Sequence, residues 1–252
     1  MRIEDLNKEI KGCTKCRLSE SRTNALPGEG YLNSKVMLIA QAPGEEEDKV
    51  GKMFVGPTGR VLNELFKSIN ISKDEIYMTN LIKCMLPDYR KPKQDEIEIC
   101  THHLDKEIEL IGPDTLVPLG YYATRYIFEK YDLIAPETKQ EFKGLYGRLI
   151  LSEDMKILPL KHPTALLFND SIRDEMTRDY SKIRTLMEDC KWYPVCPMKR
   201  YYEKGVLDKK WIKLYCKGDY LSCVRYELEE NGEYHQDWML PDGSIDERLR
   251  NY

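Results

Sequence analysis

Eight cysteines, a glutamine that ends an apolar run and a histidine held between lysine and proline are the residues of this 252-residue chain whose types and spacing could do chemistry. The cysteines fall into two sets of four. Cys13 and Cys16 form a C-x2-C, completed far along the chain by Cys84 and Cys100, whereas Cys190, Cys196, Cys216 and Cys223 form a compact C-x5-C-x19-C-x6-C. In a reducing compartment thiols seldom pair as structural disulfides, so grouped cysteines point to metal ligation or catalysis. In "LIAQAPGEEED", residues 38–48, an apolar run gives way to Gln41, a Pro-Gly turn and four carboxylates, Glu45, Glu46, Glu47 and Asp48. A neutral amide there can orient a water or a polar ligand but cannot take up a proton.

Those residues need a scaffold, and the chain reads as alternating strand and helix. Strand patterns occupy 35–40, 75–82, 114–120 and 156–160; helical periods occupy 59–69, 94–111 and 121–131. Strands separated by helices of this length predict a three-layer α/β/α domain around a mainly parallel sheet. Ligands of such sheets sit beyond the carboxyl ends of the strands. That rule selects Gln41, Ala42, Pro43, Gly44, Asn80, Gly120 and His162 as residues converging on one crevice.

Composition limits the partners. The net charge of −4 gives no global attraction to nucleic acid, so any such contact must come from a local basic face. No stretch has the roughly 18 apolar residues of a membrane span, and the first residues lack the apolar core of a signal peptide. A cytoplasmic monomer is the expectation. Residues 189–252 read as a separate cysteine-rich extension, basic and aromatic between Cys190 and Lys217, then acidic and irregular beyond Cys223.

From residue 10 to about 188 the chain resembles the iron-sulfur uracil-DNA glycosylases of family 4. The pieces that carry the resemblance are "CTKC", "PGEG" at 27–30, "APGEEEDKVGKMFVGPTGRVLNEL", "YMTNLIKCMLP", Cys100, "TLVPLG" and "HPTALL", in that order. The resemblance implies hydrolysis of the N-glycosidic bond of deoxyuridine in DNA, leaving an abasic site. It implies that His162 faces the uracil O2, that Asn80 reads the amide edge of the base and that Phe54 is the floor on which the extruded base stacks. It also implies that Leu166 and Leu167 fill the vacated base stack. Cys13, Cys16, Cys84 and Cys100 match the ligands of a [4Fe-4S] cluster, placed to tie the N-terminal segment to a loop bearing Lys83, Arg90, Lys91 and Lys93, which could meet the phosphate backbone.

Two positions depart from the family pattern. Gln41 stands where the family usually has a glutamate thought to position the attacking water, and Phe168 stands where it tends to have arginine. Glu47 or Asp48 is a rival carboxylate, against the plainer reading of a solvated loop in which Asp48 makes a local cap. Lys161 is the nearest candidate for a catalytic lysine, but as the strand neighbour of His162 it should point to the opposite face, so strand cleavage is not expected. The second cysteine set lies outside the family core. Its short polar surroundings cannot fold on apolar burial alone, so a metal centre is expected, a second [4Fe-4S] cluster in preference to zinc. Lys191, Trp192, Lys199, Arg200, Lys209, Lys210, Trp211 and Lys213 around it would either grip nucleic acid or be held by the acidic tail. Two other readings stay open: a protein that binds uracil-containing or modified nucleic acid without efficient base release, and an iron-sulfur redox or sensing protein.

Overall fold

The computed structural model describes residues 1–153 and 155–252. Six strands, β1 (Glu29–Gly30), β2 (Val36–Ala40), β3 (Tyr77–Asn80), β4 (Thr115–Pro118), β5 (Ile150–Ser152) and β6 (Met155–Ile157), form one sheet in the order β1-β3-β2-β4-β6-β5. β2, β3, β4 and β6 run parallel, while β1 and β5 are antiparallel edges. Both edge strands are too short to carry a sequence pattern. The helices of this part are α1 (Ile3–Lys11), α2 (Glu45–Val50), α3 (Pro57–Ser68), α4 (Gln94–Ile111), α5 (Gly120–Lys130), α6 (Lys139–Leu145), α7 (Thr164–Phe168) and α8 (Arg173–Met187). No helix among the described residues is long and apolar enough to cross a membrane.

Strand alternation explains the layers. Val36, Leu38 and Ala40 point into a core with Leu62, Leu65, Phe66, Tyr180 and Ile183 of α3 and α8. Met37 and Ile39 point to the other face and pack with Leu6 and Ile10 of α1, Leu104 of α4 and Ile127 of α5. The parallel register sets Ala40 beside Asn80, so the segments that follow β2 and β3 leave the sheet at one level. The acid run is a helix and not a loop: Glu45, Glu46, Glu47 and Asp48 form the first turn of α2, where carboxylates are favoured by the helix dipole.

The C-terminal extension holds α9 (Pro197–Glu203), α10 (Lys209–Trp211) running into a π-helical turn Ile212–Cys216, and α11 (Val224–Asn231). The segment beyond Cys223 is therefore not irregular from its start, since α11 begins at the next residue. Met198, Tyr201, Leu207, Ile212, Leu240 and Leu249 bury one another in a small core of their own. The extension docks at the amino ends of the parallel strands. Lys156 of β6 donates to the carbonyl of Lys217 at 2.5 Å, and Lys182 of α8 pairs with Asp219 at 3.1 Å. Three of its basic and aromatic residues are held by the acidic segment: Lys191 and Trp192 both bond Glu230, and Arg200 pairs with Asp237.

Candidate active site and cysteine pockets

A cleft of about 830 Å³ opens at the carboxyl ends of the strands and is lined by Gln41, Ala42, Pro43, Gly44, Glu47, Phe54, Asn80 and His162 among others. Segments distant in sequence meet there because the parallel strands end together. Gly120 is not in the lining. It takes φ +75° behind the histidine, where an added Cβ would come within 3.3 Å of the His162 Cβ, so it supports the site from beneath.

His162 is held in one tautomer. The Thr164 N–H donates to its Nδ1 at 3.3 Å, and the Thr164 hydroxyl lies 2.7 Å from the same nitrogen. Because a backbone N–H can only donate, Nδ1 is an acceptor and the ring proton sits on Nε2. Burial lowers the His162 pKa to about 4, so the ring is neutral at physiological pH and Nε2–H is a donor without charge. Thr58 supports Thr164 through a hydroxyl contact of 3.1 Å.

Asn80 is the last residue of β3 and is 2% exposed. Its Nδ2 donates to the Met53 sulfur at 3.1 Å, a weak acceptor that a polar ligand could replace. Its carbonyl is held from below by Lys83 Nζ at 2.7 Å. Lys83 is itself buried and also donates to Thr79 Oγ1 and Glu107 Oε2, both at 2.6 Å, while Glu107 accepts from Gly28 N. The expectation that Lys83 meets phosphate is therefore wrong: its charge is spent inside, fixing the base of the Asn80 strand end. Lys83→Met leaves the Glu107 carboxylate buried without its cation and is expected to cost about 3–5 kcal/mol in a urea denaturation experiment.

Phe54 faces the cleft from a left-handed backbone, φ 52°. Such a conformation persists only when neighbours enforce it. Lys73 Nζ donates to its carbonyl at 2.9 Å and lies 5.8 Å from its ring centroid. Gly59 passes so close that a Cβ there would lie 1.9 Å from the same carbonyl oxygen.

The two rival carboxylates separate. Asp48 turns away from the cleft and accepts from Thr23 N at 2.8 Å and Asn24 N at 3.1 Å, so it is a clamp on the N-terminal segment and not a reacting group. Glu47 lines the cleft, and its Oε1 accepts from Gly56 N at 2.8 Å. Gln41 also lines the cleft, with its carbonyl bonded to Ile82 N at 3.0 Å.

On the rim, Leu166 and Arg90 depart from expectation. Leu166 is buried in the core, whereas Leu167 is 46% and Phe168 86% exposed. Arg90 lies at the mouth with its guanidinium forked onto Glu96 at 2.5 and 2.8 Å. Lys161 is not among the residues lining the cleft and pairs with Glu175 at 2.5 Å. Met53, Thr58, Tyr89 and Thr164 also line the cleft; only adjacency to Phe54 and His162 could have flagged Met53 and Thr164, and nothing in the sequence marked the other two.

Each cysteine set lines one pocket. Cys13, Cys16, Cys84 and Cys100 surround the first together with Arg22, which donates to the Cys84 sulfur at 3.0 Å, and Lys83, whose N–H donates to the Cys100 sulfur at 3.3 Å. Cys190, Cys196, Cys216 and Cys223 surround the second. None of the eight is in a disulfide. A tetrahedral zinc ion, about 2.3 Å from each sulfur, would hold the sulfurs about 3.8 Å apart. Four sulfur donors suit zinc and iron-sulfur groups alike, so the cysteines of each pocket fit a sulfur-ligated metal centre. Arginine and backbone N–H groups aimed at sulfur fit a group of net negative charge.

Comparison with known proteins follows the same line. Residues 27–183 match the family model of the uracil DNA glycosylase superfamily. The chain is 38% identical to the type-4 uracil-DNA glycosylase of Sulfurisphaera tokodaii over 84% of its own length and 94% of the relative's. It is 34% identical to that of Thermotoga maritima over 74% and 95%, and 33% identical to that of Archaeoglobus fulgidus over 73% and 92%.

Proposed function

The chain belongs to the uracil-DNA glycosylase superfamily, with type-4 relatives over most of its length, and from that premise we propose how its residues excise uracil. It is a hydrolytic DNA-repair glycosylase acting on uracil in DNA. As the N-glycosidic bond breaks, uracil becomes an anion and the sugar gains positive charge. His162 donates through Nε2–H to the developing charge on uracil O2, and its neutrality lets it do so without itself being consumed as an acid. The Asn80 side-chain amide offers an N–H to O4 and its Oδ1 to N3–H, a pairing that cytosine reverses. The base leaves the duplex, at a cost of about a few kcal/mol, and stacks on Phe54. Leu167 and Phe168, the exposed pair on the rim, fill the gap it leaves; Leu166 anchors them from the core.

The observation that carries this reading is the convergence of Asn80, Phe54 and the tautomer-fixed His162 on one cleft. Gln41 orients the attacking water, and Glu47, fixed by Gly56 N, supplies the negative charge that offsets the sugar cation. Because water attacking a cation needs little help from a base, Gln41 lowers the rate without abolishing it. Gln41→Glu is expected to raise single-turnover uracil release by about tenfold or less at neutral pH, a small part of a typical general-base contribution.

Cys13, Cys16, Cys84 and Cys100 are proposed as ligands of a [4Fe-4S] cluster that fastens α1 and the N-terminal segment to the loop after β3. Its contribution is structural. The decisive test of the function is a glycosylase assay with anaerobically purified protein on a uracil oligonucleotide and its thymine counterpart. Alkali-labile sites with uracil alone support the reading; selective binding of uracil DNA without cleavage would sink it.

A further inference from the structure

We infer that the C-terminal extension is built around a second [4Fe-4S] cluster, held by Cys190, Cys196, Cys216 and Cys223, with the buried guanidinium of Arg225 as its hydrogen-bonding counter-charge. The four cysteines come from the segment after α8, the residue before α9, the π-helical turn and the residue before α11, and they face one chamber of about 60 Å³. All four thiols open onto that one chamber, so a single sulfur-ligated centre can span them. The walls are mainly apolar and aromatic, with Trp192, Tyr193, Tyr215, Tyr220 and Tyr226 around the thiols, an environment that shields a cluster from solvent.

Arg225 supplies the independent sign of an occupant. It is 2% exposed and lines the chamber. Its Nη1 donates to the carbonyls of Gln236, Asp237 and Met239 at 2.9, 3.1 and 2.8 Å, while Nε and Nη2 are buried with no protein partner. Two orphaned donor nitrogens of a buried cation are costly unless acceptors meet them. Four thiolates on a cluster core carry net negative charge and offer sulfur acceptors at that place. Backbone N–H groups add to the set: those of Trp192 and Tyr193 act on Cys190, and those of Arg225 and Tyr226 on Cys223. The first pocket uses the same device, one arginine donating to one cysteine sulfur.

This inference does not depend on the glycosylase reading, because the extension packs at the amino ends of the strands, away from the cleft. The test is iron, sulfide and zinc content of the anaerobically purified full-length chain, with uracil release measured on the same samples. About eight irons and eight sulfides per chain are expected. Cys196→Ala with Cys223→Ala should leave about half of both while uracil release persists. Half the iron plus one zinc in the unaltered protein, or half the iron and no other metal, would overturn the proposal. Arg225→Met guards against a variant that merely misfolds: it should keep the iron but move one of two reduction potentials to a more negative value. Two potentials unchanged by that substitution would refute the role given to Arg225.

Discussion

Replacing His162 with alanine slows single-turnover release of uracil by about 10²–10³-fold while binding of uracil-containing DNA changes little. The magnitude follows from the loss of one preorganised donor at a site of developing negative charge. Binding is spared because the ground-state carbonyl of uracil carries far less charge than the departing anion. The pH profile is part of the same expectation. Burial holds the His162 pKa at about 4, below its ordinary 6.5, so the folded protein binds fewer protons at this site than the unfolded chain does. The stability of the neutral ring is fully present above pH 6.5 and is lost as pH falls through the window down to about 4. Uracil release should therefore stay level from about pH 8 to about pH 5 as far as His162 is concerned and then decline. A histidine-dependent inflection near pH 6.5 in the unaltered enzyme, absent in His162→Ala, would contradict the neutral-donor assignment.

Asn80→Asp changes which base is released. The amide presents one donor and one acceptor to uracil, and a carboxylate presents acceptors alone. Uracil release is expected to fall by about 10³-fold or more, the order by which sites built around a hydrogen bond reject a mismatched partner. Cytosine release should rise above background, because the exocyclic amine of cytosine can donate to the new carboxylate. The strand end stays in place through this change, since Lys83 holds the Asn80 carbonyl and not its side chain. Competing uracil and cytosine oligonucleotides in one single-turnover experiment measure both effects. Equal losses on both bases would mean that Asn80 supports the fold of the cleft and does not read the base.

The parallel strands, α4 and the positions of Gln41, Asn80 and His162 were legible because each rests on local signals: a buried apolar run, a 3.6-residue period, and the rule that ligands meet strand ends. What stayed hidden depends on long-range contacts. Lys83 and Arg90 look alike in sequence, and only burial beside Glu107 and the fork onto Glu96 decide that neither charge is free. Asp48 and Glu47 are neighbours on one helical turn, so a rotation of about 100° separates the clamp from the cleft carboxylate. Leu166 and Leu167 are divided in the same way. Cysteine arithmetic revealed both sulfur tetrads but not Arg225, because a single arginine in a charged helix carries no signal until its surroundings are known.

The cysteine-rich extension closes the amino ends of the strands while the cleft opens at their carboxyl ends. The molecule thus has two poles, the cleft at one and the extension at the other. A bead or a dye attached on the extension near Tyr252, whose carbonyl accepts from Lys204, would sit on the far pole, so the enzyme can be tethered there and still approach a duplex face-on.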